Sequence, residues 1–158
     1  MIKNILIVVC SLLLLQSCKN NEQNRIIKSE KKESSESRYC FIEDIKMENQ
    51  KTILLFDQVE YKNDTSGIDH KIIEMPDGFY FSDKENKIDT AEFDSGSVIV
   101  MQTFSFDDEG NFNFNERVKS SELLETFEDS PIVRLKQLPF RIVTTGTKID
   151  SLFEIYIP

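Results

Sequence analysis

The chain has no tryptophan, one histidine and three cysteines in 158 residues. A single imidazole, His70 in the turn-rich stretch Gly67-Ile68-Asp69-His70-Lys71, makes a zinc centre a poor expectation, because such sites draw on several Cys and His ligands. Glycine and proline are also scarce, at 5 and 4 residues. No Gly-rich phosphate loop appears, and no G-x-S-x-G pattern that would seat a nucleophilic serine. Basic charge is short: 19 Lys and Arg stand against 28 Asp and Glu, for a net −9. That balance argues against nucleic acid and against lying on anionic lipid. Long apolar runs are missing as well. The most apolar stretch, Ile5–Leu15, is about half of the roughly 20 residues a helix needs to span a bilayer.

That short run is informative for what surrounds it. Lys3 precedes it, and from Lys19 the chain turns polar. A basic start followed by about 7–15 apolar residues is the pattern of an export signal. Its end, Leu15-Gln16-Ser17-Cys18, resembles the lipobox of bacterial lipoproteins, with an aliphatic residue three before the cysteine and a small one just before it. The resemblance implies removal of residues 1–17 and diacylglycerol on Cys18, so the membrane is a partner through an N-terminal lipid. Two or more acyl chains hold a protein stably where one holds it marginally. Lys19, where aspartate signals inner-membrane retention in some bacteria, favours the outer membrane. Residues 18–38 are polar, rich in Ser, Glu, Lys and Asn, and read as a disordered tether.

With Cys10 removed and Cys18 lipidated, Cys40 is left alone, so no intramolecular disulfide is expected and the body relies on its core. Residues 39–158 form one domain of ordinary size. They carry 12 basic and 24 acidic residues. Apolar residues recur mostly at a period of two. Tyr39–Met47 and Thr52–Tyr61 read as a hairpin; Met75–Asp83 places a Pro-Asp-Gly turn before an aromatic strand. Ser97–Phe106 is a further strand, and Asp107–Asn111 turns it towards Phe112–Val118. Ser120–Phe127 breaks the pattern: Ser121 is placed as an N-cap, and Leu123, Leu124 and Phe127 share a helical face. At the end, Thr145-Gly146 is a turn between two strands, and Ile149, Ser151, Phe153, Ile155 and Ile157 alternate onto one face of the last. The fold expected is mainly β with one short helix: a small antiparallel barrel or sheet, OB-like in its order of elements.

Three places invite chemistry. Ser105–Glu116 has calcium-loop spacing, with Asp107, Glu109 and Glu116 as oxygen donors and Gly110 at the bend. Ser105 stands where the EF-hand pattern needs Asp, and the alternating phenylalanines indicate a strand rather than flanking helices, so an acidic hairpin turn is the plainer reading. Asp57 lies inside the apolar strand Ile53–Tyr61 on the face of Leu55 and Val59, which puts a carboxylate beside a core. Among Phe79, Tyr80 and Phe81, alternation turns at least one ring outward, and Tyr80 is the binding candidate. Paired carboxylates able to act on a glycoside are guaranteed by the acid content and carry no specificity.

Three stretches resemble a Bacteroidota-like group of small, uncharacterised bacterial secreted proteins and lipoproteins. They are Ile53–Asp57 running to Tyr61; Pro76–Asp83 followed by Glu85-Asn86-Lys87; and the ending Pro139-Phe140, Ile142, Gly146, Leu152, Glu154, Tyr156 and Pro158. The resemblance implies an exported β-rich domain without a transferable activity. The function expected is a lipid-anchored, non-catalytic binding or scaffolding module for an envelope protein or glycan, without a cofactor. The alternatives are an envelope hydrolase acting on glycan or peptide, and a calcium-dependent ligand or adhesion module.

Overall fold

The computed structural model describes residues 34–64, 66, 71–76, 78–85, 87–129 and 133–157. Cys18, its lipobox and His70 lie outside them. In chain order the elements are β1 (Ser35–Glu48), β2 (Lys51–Lys62), β3 (Lys71–Glu74), β4 (Tyr80–Asp83) and β5 (Ile88–Met101). Then follow β6 (Glu116–Val118), helices α1 (Ser120–Asp129) and α2 (Val133–Gln137), β7 (Pro139–Thr145) and β8 (Lys148–Glu154).

Tight turns set the frame. Asn49 and Gln50 join β1 to β2 with φ values of 48° and 65°, the left-handed pair that a two-residue hairpin with native twist requires. β7 and β8 meet just as tightly at Gly146, with φ 58°. The two hairpins then close a ring. β1 pairs with both β2 and β7, β2 with β5, β5 with β8, and β8 with β7. Five strands therefore form a closed barrel, and the helices sit between its third and fourth strands. This is the OB-like order expected from the sequence. The β5–β8 contact is parallel, so the barrel is not wholly antiparallel, and a second, five-residue helix joins the one expected.

Alternation explains which side chains fill it. Cys40, Ile42, Leu54, Phe56, Ala91, Phe93, Phe140, Ile142, Ile149 and Leu152 are buried in one cluster with Leu123 and Leu124 of α1 and Leu135 of α2. The helical face predicted for α1 thus caps the barrel. Its start differs from expectation, since the helix begins at Ser120 and Ser121 is not the cap. Instead Glu122 reaches back to accept the Lys119 backbone N–H at 2.7 Å, half of a capping box.

Two bulges shift the parity. Ile42 faces Phe56 and Asp44 faces Leu55, which leaves Glu43 without a partner. On β8, Thr144 faces Ile149 and Val143 faces Ser151, so Asp150 is extra. The second bulge corrects the face assigned to the last strand: Ile149 and Leu152 point inward, and Ser151 and Phe153 point outward. The folded domain also starts earlier than residue 39. Ser35–Arg38 pair with Thr145–Ile142 of β7, which removes four residues from the predicted tether.

β2 outlasts the barrel. Beyond Asp57 it leaves β5, and Glu60–Lys62 pair with β4, which pairs in turn with β3. The β3–β4 hairpin folds over the outside of β1 and β2. There Phe41, Val59, Met75 and Phe81 make a second buried cluster, with Tyr39, Ile73, Ile155 and Ile157 against it. Gly78, at φ 77°, makes the turn before β4; its N–H donates to the Met75 carbonyl at 3.0 Å.

Candidate ligand-binding groove

OB-like barrels use the loops between strands 1–2 and 4–5 to hold ligands. Here both are two-residue turns with nothing to offer. The chain has spent its extra length on the β3–β4 hairpin and on the C-terminal segment, and a groove of about 390 Å³ runs between them.

Each wall follows from strand parity. Cys40 and Phe56 point into the barrel, so Tyr39 and Tyr61 point out. Arg141 and Phe153 face each other on the outer side of β7 and β8. Phe79 and Phe81 come from the approach to β4 and from β4 itself; Tyr156 and Ile157 come from the tail. The rings touch: Tyr39–Tyr61 and Tyr61–Phe81 are 5.9 Å apart between centroids, and Tyr61–Phe79 is 5.6 Å. Aromatic pairs at such separations add about 0.5–1.5 kcal/mol each beyond simple burial. The Arg141 guanidinium lies 4.9 Å over the Phe153 ring, which orients it along the rim.

Tyr61, Phe79 and Tyr156 stay 37%, 42% and 41% exposed, so these rings present free faces. The aromatic surface continues past the groove. Tyr156 meets Phe114 edge-on at 5.0 Å and 90°, Phe114 meets Phe112 at 6.4 Å, and Phe112 lies 4.6 Å from Phe106. Among the described residues, one carboxylate lines the groove, Glu154, and it is already committed. It accepts the backbone N–H groups of Gln102 and Thr103 at 2.8 and 3.1 Å and the Thr103 hydroxyl at 2.5 Å.

The residues singled out from sequence fare unevenly. Asp107, Glu109 and Glu116 do not assemble a calcium site. Asp107 is spent on its own loop, accepting the N–H groups of Glu109 and Asn111 at 2.9 and 2.8 Å and the Asn111 side-chain amide at 3.2 Å. Those bonds, Asn111's first, hold its carboxyl below the usual range. Glu116 sits on β6 opposite Met101 and accepts the Ser105 hydroxyl at 2.7 Å. Among the described residues, no three His, Cys, Asp or Glu side chains are placed to hold a metal ion.

Cys40 is wholly buried, and burial pushes its thiol up to about 12, which leaves it inert. Tyr80 does not line the groove; its neighbours Phe79 and Phe81 do. Asp57 is where alternation placed it: outside the barrel, 5% exposed, beneath the β3–β4 hairpin. Burial pushes its carboxyl up, the neighbouring Asp83 adds to this, and Lys71 opposes it.

The domain is a small closed β-barrel with an aromatic groove on its outer wall. Comparison of the chain with known proteins finds no matching family model, no matching curated protein and no matching solved structure.

Proposed function

We propose that the protein is a lipoprotein of the bacterial envelope, held through lipid on Cys18, whose barrel binds a neutral glycan in the aromatic groove without transforming it. The groove carries this reading. Sugar rings offer flat C–H faces and hydroxyl edges. The half-exposed rings of Tyr61, Phe79 and Tyr156 match the faces, and three phenolic hydroxyls with the Arg141 guanidinium match the edges. A purely apolar ligand would strand those polar groups at a cost, and an anionic one would meet an acidic body. Binding without catalysis fits Glu154, whose three hydrogen bonds leave its carboxylate poorly placed to move a proton.

The anchor rests on the lipobox resemblance at Leu15–Cys18, and Lys19 favours the outer membrane. Cys18→Ala abolishes incorporation of labelled fatty acid in the cell; continued labelling overturns the anchor. For the groove, the chain from Lys19 to Pro158 is titrated against neutral oligosaccharides of the envelope by calorimetry. Saturable binding is expected for at least one, weakened about tenfold or more by Tyr61→Ala or Phe79→Ala, since a central aromatic contact carries about 1–3 kcal/mol. Absence of saturable binding across the set, or alanine variants that bind like the parent, refutes the reading.

A further inference from the structure

Across the Phe41–Phe81 contact from the groove lies a second cavity of about 350 Å³. The two rings meet edge-on at 5.6 Å and separate the sites: Phe81 faces the groove, Phe41 the cavity. The cavity has an apolar floor of Phe41, Ile73 and Met75, and three carboxylates, Glu43, Asp57 and Glu74, among its walls. Asp57 is 95% buried by its 5% exposure, and its Oδ1 has no hydrogen-bond partner. A buried carboxylate oxygen in that state is costly. Such cost persists in folded proteins where something else satisfies the group.

Two lysines of the described residues also border the cavity; Lys71 is shared between Asp83 and the field at Asp57, and Lys136 is turned towards another ring. The Lys71 ammonium pairs with the buried Asp83 at 3.7 Å. The Lys136 ammonium lies 5.6 Å over the Phe127 ring on α1. Among the described residues, three carboxylates line the cavity against two lysines, and neither lysine is hydrogen-bonded to Asp57 Oδ1. The spread of the carboxylates does not suit a metal ion, because no three acidic or other metal-binding side chains converge among the described residues.

We infer that this cavity is a binding site for a small organic cation, a primary amine with a hydrocarbon body, whose ammonium is received by Asp57 and whose chain lies on Phe41, Ile73 and Met75. The ammonium supplies donors at a cavity whose Asp57 Oδ1 lacks one. The apolar floor then distinguishes such an amine from a bare inorganic cation. This site stands independently of the glycan groove.

n-Hexylammonium is the probe, with 1-hexanol as its neutral counterpart, titrated into the isotope-labelled chain from Lys19 to Pro158 and followed by amide chemical shifts. Saturable shifts at Phe41, Ile73 and Met75 are expected with the amine. Asp57→Asn weakens its binding about tenfold, the weight of one charge-assisted hydrogen bond, while 1-hexanol distinguishes little between parent and variant. Glu74→Gln, at an exposed position, is the second variant and weakens the amine by a smaller factor. Unchanged amine affinity in Asp57→Asn, saturation confined to Phe79 and Tyr156 in the groove, or no saturable shift at all overturns the assignment.

Discussion

Replacing Asp57 by Asn stabilises the unliganded domain at neutral pH, and the gain disappears in acid. The substitution keeps the side chain's shape and removes a charge that is 5% exposed and has an unpartnered Oδ1. A buried polar group left without a partner costs about 1–3 kcal/mol. The amide oxygen retains part of that cost, so a net gain of about 1 kcal/mol is expected, or about 4 °C in Tm for a domain of this size. The pH dependence follows from the direction of the shift. Burial first, and Asp83 second, raise the carboxyl above its ordinary value in the folded state. Above that raised value the ionised group weakens the native state. As pH falls through it, the native state takes up the proton before the unfolded chain does, and stability contributed at this site rises. Below the unfolded value, about 3.9, both states are protonated and the parent has regained the difference. Thermal melts followed by circular dichroism at neutral pH and at about pH 3 read this directly. A variant that melts lower than the parent at neutral pH, or a gap that does not narrow in acid, would refute the account of Asp57 as an unsatisfied buried charge.

Gln50 holds φ 65°, a left-handed conformation that costs a residue with a Cβ about 1–2 kcal/mol. Gln50→Gly completes the Asn-Gly pair preferred in this turn and raises the urea midpoint by an amount equivalent to about 1 kcal/mol; a lowered midpoint counts against the turn geometry. Cys40, with its thiol pushed up to about 12 by burial, resists aromatic disulfide reagents at pH 8 in the native protein and reacts fully in denaturant. Native reaction at the rate of an exposed thiol contradicts its placement inside the barrel.

The local grammar of the chain was legible. Alternation located β1 and β2, the Pro-Asp-Gly turn located β4, and the spacing of Leu123, Leu124 and Phe127 located α1. Asp57 stood out because a carboxylate in an apolar strand has few places to go. The bulges were not legible, because an extra residue at Glu43 or Asp150 exists only relative to the register of a partner strand. One such residue turned Phe153 from the expected inner face to the groove. The groove itself was missed because its rings come from β1, β2, β4, β8 and the tail, which only ring closure through β2–β5 and β5–β8 brings together. A sequence signal did exist: Tyr39 and Tyr61 share the parity opposite to Cys40 and Phe56. Its meaning required knowing that the β3–β4 hairpin would fold back over that face. The calcium spacing misled for a related reason. It counted positions along a loop, while the hydrogen bonds of Asp107 and the strand pairing of Glu116 took the two carboxylates to separate tasks.

β1 is paired with β7 over Ser35–Phe41 and with β2 over Tyr39–Glu48, so its two edges are engaged together at Tyr39–Phe41. Tyr39 in the groove stands about 13 Å along that strand from Ser35, the residue at which the domain begins. Tension applied between the N-terminal end and a ligand held in the groove would therefore run along β1, parallel to the strand. The β1–β7 ladder then takes the load in shear, joined by β2 from Tyr39 onward, and its hydrogen bonds must fail together rather than peel one at a time. The rest of the barrel, with its buried core and its helical cap, lies off that line of force.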